Sequence, residues 1–336
     1  MPIQSAGEAE LRRLRLFLTI TILATFVLVI VGGVVRVTDS GLGCGPAGSG
    51  VEGWPLCGGR ALPLIEEKAV IEFSHRLLAS VVGLLAILCV WQARKVPGEQ
   101  RFLRRGTVAA LVLVIAQGAL GGLTVEKNLH EYLVAAHLGL AMIFGGLLLT
   151  LLWAAREQQQ SSPRLSGRGL RPLAIAATAL VLATVVVGGV VAGTEEEGVR
   201  NGAVNGAHLA CGEEFPGCLG GVLPFGKHGR LADIQLTHRA LVYVTTATIL
   251  ALLGLAAYRR RWSWELSALA VLLAVQLLLG ALNVWLGKHP TLIVAHLTVG
   301  TLLWAAAVST TLRLSPAPQT VHRPTAAEPK TSAAPA

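Results

Sequence analysis

Four histidines are set within long apolar stretches of this 336-residue chain, and their surroundings repeat. Phe73-Ser74-His75-Arg76 is echoed by Leu236-Thr237-His238-Arg239, and Ala135-Ala136-His137-Leu138 by Val294-Ala295-His296-Leu297. A lone imidazole in such a stretch is most often an interhelical hydrogen-bond donor. Four at matched places argue for a shared task, because ionisable groups within a membrane span are rare and usually face the bundle interior. Two imidazoles facing each other across a helical bundle are the expected axial ligands of a haem iron. Zinc would require a tighter cluster with carboxylate or thiolate neighbours. The favoured pairs are His75 with His137 and His238 with His296. His130, His228 and His289 fall in or beside outer loops and His322 in the tail, where solvated surface residues are the better reading.

A carboxylate accompanies only one pair. Glu72 precedes His75 by three residues, which puts both on one helix face. Its counterpart Gln235 can hydrogen-bond but cannot carry charge or exchange a proton near neutral pH. That asymmetry predicts one reactive site and one structural or electron-transfer site. The plainer alternative for Glu72 is an interfacial carboxylate solvated at a helix start. Beside a porphyrin it would accept a proton, orient water or stabilise a cationic intermediate. Arg76 and Arg239 each follow a ligand candidate, and Arg36 ends the first apolar stretch. A guanidinium suits propionate carboxylates as a bidentate partner, and equally suits the membrane interface as an anchor. Gln117, Gln276, Thr124 and Asn283 are candidates for interhelical hydrogen bonds or pocket lining. Gly121, Gly122, Gly145 and Gly146 are candidates for close packing between helices.

The elements that must position these groups are membrane helices. Hydrophobic residues make up 53% of the chain and charged residues 14%, too little charge to cover a soluble domain of this size. Eight stretches, about 16–37, 70–93, 107–125, 132–154, 172–192, 234–257, 264–285 and 291–312, are long enough to span a bilayer, which takes roughly 20 residues. The first is too long for a cleaved signal and lacks a clear small-residue cleavage site. Glu8 and Glu10 argue against a transit peptide. The net charge of +9 reads as an orientation signal and not as a nucleic-acid surface. With the N-terminus inside, the cytoplasmic segments carry 18 of the 28 Lys and Arg residues, the positive-inside pattern. Both termini are therefore expected in the cytoplasm, and the four imidazoles at similar depth near the extracytoplasmic face.

Further repeats join the histidine segments: Gln117 to Val125 matches Gln276 to Val284, and Gly32-Gly33-Val34-Val35 matches Gly188-Gly189-Val190-Val191. A four-helix unit duplicated in tandem is expected, its copies related by a pseudo-two-fold axis along the membrane normal. The predicted fold class is all-α integral membrane, with eight transmembrane helices as two pseudo-symmetric four-helix bundles. The halves are 1–154 and 172–312, joined by a cytoplasmic linker at 155–171 and followed by a disordered cytoplasmic tail at 313–336. No Walker-type or dinucleotide-binding loop occurs.

Several segments resemble those of the haem A synthase family: Gly41-Leu42-Gly43-Cys44, Trp54-Pro55-Leu56-Cys57, Glu72-Phe73-Ser74-His75-Arg76, Gly121-Gly122-Leu123-Thr124-Val125 and Ala136-His137-Leu138. The resemblance covers all eight stretches, roughly 16–312. It implies oxidation of the C8 methyl of haem O to the formyl group of haem A, through successive hydroxylations, in cytochrome oxidase assembly. It also implies haem b as a cofactor on His238 and His296, substrate haem O flanked by His75 and His137, and Glu72 as the catalytic carboxylate. The implied setting is a bacterial plasma membrane, with a haem O synthase (a protohaem farnesyltransferase) as partner and an electron acceptor that the sequence does not identify. The isoprenoid tail of haem O suits a membrane site, but no sequence feature marks its groove.

Cys44 and Cys57 share the first long outer loop, and Cys211 and Cys218 the corresponding loop of the second half. Disulfides persist on that side, so Cys44–Cys57 and Cys211–Cys218 are the expected pairs. They would rigidify loops over the pockets or exchange electrons. A glycine-rich insertion, Gly45 to Gly53, departs from the family pattern in the first loop. Cys89 lies roughly 20 Å below His75 at helical rise and reads as a small core residue. The competing reading of the chain is a di-haem b membrane electron-transfer protein. Both histidine pairs near one face argue against a relay across the bilayer, and the Glu72/Gln235 difference argues for chemistry at one site. A transporter built from parallel repeats would leave the ligands without a purpose.

Overall fold

A computed structural model describes residues 2–63, 65–98, 100–157, 169–194, 206–287 and 289–315. Most of the expected linker, and the expected tail from residue 316 with His322, lie outside the described residues. Eight helices follow one another: α1 (Pro2–Val37), α2 (Glu67–Lys95), α3 (Arg101–Glu126), α4 (Glu131–Glu157), α5 (Arg171–Gly193), α6 (Arg230–Tyr258), α7 (Trp264–Trp285) and α8 (Pro290–Arg313). All eight are long and apolar enough to cross a membrane. The chain is an all-helical, multi-pass membrane protein, with no strand among the described residues beyond isolated bridges at Cys57–Arg60 and Cys218–Gly221.

The helices overrun the apolar stretches, because a helix continues into water wherever its residues favour it while an apolar count stops at the first charge. The overrun is largest in α1, whose polar first turns precede the expected start at 16. Those turns are tied down: Leu11 and Leu14 are buried, and the Gln92 side chain donates to the Glu10 carbonyl at 3.1 Å. Periodicity then separates core from lipid within an almost wholly apolar run. Leu11, Leu14 and Leu18 face inward, while Leu16, Ile20, Leu23 and Val27 are exposed, at the three- and four-residue steps of one helix face.

Helices α1 to α4 form a ring in which α1 touches α2 and α4, and α3 touches both α2 and α4. Helices α5 to α8 close in the same order, and the two rings meet through α4 with α5, α1 with α8, and α4 with α8. Small residues make that seam close. A methyl on Gly139 would lie 2.9 Å from Val186, and one on Gly189 3.0 Å from the Ala135 backbone. Gly146 receives the Trp304 ring, whose Nε1 donates to the Met142 carbonyl at 2.9 Å. Gly145, the neighbouring candidate, meets nothing within 4 Å. Polar clasps finish the loop end of the seam. Arg36 donates to the Ala192 carbonyl at 2.8 Å, and Arg230 pairs with Glu131. These contacts put the ends of α1 and α5, and the starts of α4 and α6, at one end of the molecule.

Candidate functional site

The even-numbered helices all start at that end, and each carries its histidine early. His75 and His238 are eight residues past the starts of α2 and α6, and His137 and His296 six past those of α4 and α8. Within each half the two rings are within electrostatic range of each other. The ring carbon Cε1 of each faces a glycine on the preceding helix. A methyl at Gly32 would stand 3.1 Å from His75 Cε1, at Gly121 3.1 Å from His137, at Gly188 3.2 Å from His238 and at Gly280 3.3 Å from His296. Gly121 therefore seats a side chain, and its neighbour Gly122 makes room for the Trp54 ring of the outer loop. The sequence marks these glycines as repeated but not what they receive.

Each of the four imidazoles is half-buried, and its Nδ1 is shut off from solvent, with the Leu28 backbone beside the His75 ring and the Thr184 backbone beside the His238 ring. Such a nitrogen is costly unless something binds the ring or the atom. Among the described residues no group of three or more His, Cys, Asp and Glu is placed to hold a bare metal ion. Paired imidazoles with no carboxylate or thiolate cluster beside them suit a metal that brings its own equatorial donors, as an iron porphyrin does. Two glutamines reach these histidines, one at the backbone and one at the ring. Gln117 donates to the His137 carbonyl at 2.8 Å, and Gln276 lies 3.2 Å from His296 Nε2. Asn283 donates to Leu292 of α8 at 3.2 Å, whereas Thr124 bonds only its own helix at Leu120.

Glu72 is buried, and its carboxylate accepts the Cys44 N–H at 2.7 Å and a guanidinium N–H of Arg76. Arg76 also donates to the carbonyls of Gly53 and Leu56 at 2.7 and 2.9 Å. The first outer loop is thus fastened onto the start of α2 around this one carboxylate. Arg239 does the same for the second loop, donating to the carbonyls of Glu214, at 2.9 Å, and Gly217. Both expected disulfides, Cys44–Cys57 and Cys211–Cys218, are formed within these loops. Cys89 is a buried free thiol 3.5 Å from Thr21.

His130, His228 and His289 are exposed, as their loop positions predict. His208 escaped the sequence reading because the repeat gives it no partner: Gly41 stands three residues before Cys44 where His208 stands three before Cys211. It is half-buried in a short turn, Ala207–Leu209, that packs on α5 and α6, within electrostatic range of both His238 and His296. An apolar groove of about 510 Å³ between α1 and α8 belongs to neither pair. Its lining residues Val34 and Thr298 lie two positions past Gly32 and His296, about 200° round their helices and so turned away from the imidazoles.

Eight helices long and apolar enough to span a membrane, with two half-buried histidines in each half, define a polytopic membrane protein. The family model described as cytochrome oxidase assembly protein, COX15-CtaA, matches residues 15–308. The chain belongs to this family. It is 31% identical over 266 residues to the heme A synthase of Bacillus licheniformis, covering 76% of this chain and 81% of that protein. It is also 31% identical over 298 residues to the heme A synthase of Geobacillus kaustophilus, covering 85% and 86% of the two chains. With the heme A synthase of Shewanella oneidensis it shares 28% over 341 residues, covering 87% and 97%.

Proposed function

We propose that this chain is a haem A synthase, which oxidises the C8 methyl of haem O to the formyl group of haem A, and that its two halves divide the work. The half at 1–154 takes substrate haem O between His75 and His137. The half at 172–312, derived from the same ancestral unit, holds haem b on His238 and His296. The observation that carries the division is the clasp at Glu72. A buried carboxylate three residues from His75 is held by the Cys44 N–H and Arg76, while Gln235 stands in its place beside His238.

The residues of the first half have separable tasks. His75 and His137 orient the porphyrin, and Gly32 and Gly121 keep the rings within reach by leaving no side chain behind them. Glu72 is fixed in position before substrate arrives, so no reorganisation is needed when it accepts a proton, orients water or stabilises positive charge beside the methyl group. The first loop, locked by its disulfide and by Arg76, shields this end of the bundle from water. Bound haem b would supply one-electron transfer at the second site. Electrons leave to an acceptor outside this chain, and haem O arrives from a haem O synthase in the same bilayer. Both termini lie in the cytoplasm and the haem sites toward the outer face of a bacterial plasma membrane, as the placement of Lys and Arg favours.

Co-expression with a haem O synthase, followed by chromatography of the extracted haems, tests the assignment. The wild type should yield haem A. Glu72→Gln should accumulate haem O or a hydroxylated intermediate while keeping the haem b spectrum. Haem A at wild-type levels from Glu72→Gln would remove the carboxylate from the mechanism.

A further inference from the structure

The arginines that follow His75 and His238 are anchored alike but neutralised differently. Each fastens an outer loop through backbone carbonyls. In the first half the other terminal guanidinium nitrogen of Arg76, Nη2, donates to Glu72. In the second half Arg239 Nη2 is closed to solvent and has no hydrogen-bond partner among the described residues, in a side chain whose residue is only 3% exposed. The cause is the residue four places earlier, which is Glu72 before Arg76 and Gln235 before Arg239. The Gln235 Oε1 is also buried and unpartnered, and an amide would not neutralise the guanidinium in any case.

The surroundings of Arg239 supply little countercharge. Glu214 is the carboxylate in electrostatic range, but it is exposed and already accepts the Gly220 N–H at 2.9 Å. The Tyr243 hydroxyl donates to the Pro216 carbonyl, and the Phe215 ring lies 5.9 Å from the guanidinium carbon. A buried cation with an unused donor is strongly disfavoured unless an anion completes it.

We infer that Arg239 binds a carboxylate of the ligand of the second site, a propionate of the porphyrin held by His238 and His296. The inference rests on the haem reading proposed above. In the first half Glu72 already occupies the equivalent nitrogen, so Arg76 offers a porphyrin no such anchor. The second site then retains its haem, while the first exchanges substrate for product.

The test uses the full-length protein in the His75→Ala background, which leaves the second site to report alone. The haem-depleted protein is loaded with iron protoporphyrin IX or with its dimethyl ester, which has the same ring and iron but no carboxylates. Release to apomyoglobin is followed in the Soret band. Loss of one charge-assisted hydrogen bond predicts release of the ester about tenfold faster than of the free acid. Arg239→Gln should abolish this difference, and Arg76→Gln should preserve it. Because the acid–ester comparison needs no change at Arg239, it stands even if Arg239→Gln misfolds. Equal release of acid and ester from His238-dependent binding would overturn the anchor alone. Binding of either porphyrin that persists unchanged in His238→Ala would overturn the haem reading and the anchor with it.

Discussion

At the scale of single residues, the site depends on what is missing as much as on what is present. The histidines and Glu72 are legible in the sequence because ionisable side chains stand out against apolar runs, the histidines recurring in both halves and Glu72 in only one. Their glycine seats are legible only as a repeat, since the distance from one helix to a ring on the next is a property of packing. His208 is not legible at all, because its importance comes from a loop folding back onto α5 and α6. The seats make a sharp prediction. Gly188→Val should press on the His238 ring, at an overpacking cost of about 1–3 kcal/mol, and lower haem content in the purified protein. Gly254→Val, on the helix that carries His238 and with open space around it, should leave the Soret band unchanged. Equal haem content in both variants would show that the glycine is not a seat.

At the scale of elements, helices were readable and their ends and loops were not. Every span emerges from length and hydropathy, yet the first turns of α1 extend into polar sequence and the ends of α2 and α4 carry charges the apolar count excluded. The outer loops take their shape from non-local contacts, Arg76 and Arg239 reaching back to backbone carbonyls, which no local pattern announces. The crossing of α4 and α5 is another such contact, with Gly193 packed directly on the Glu131 backbone. Gly193→Leu should force these helices apart, at roughly 1–3 kcal/mol, and lower the midpoint of thermal unfolding in detergent. An unchanged midpoint would mean that the two halves do not depend on this crossing.

At the scale of the whole molecule, two four-helix rings place both histidine pairs at one end, with Glu72 beside one pair and Gln235 beside the other. The side of the membrane on which that end lies is open to direct labelling. In intact cells a membrane-impermeant maleimide should react with Lys227→Cys, in the loop before α6, and not with Arg260→Cys, in the turn after it. The reverse pattern would invert the topology. The division of labour is tested most directly by comparing His75→Ala with His238→Ala, each co-expressed with a haem O synthase and examined by reduced-minus-oxidised spectra and haem extraction. His238→Ala should lose the resident haem b spectrum, whereas His75→Ala should keep that spectrum and yield no haem A. Loss of the haem b spectrum in His75→Ala, with His238→Ala spectrally intact, would contradict the account.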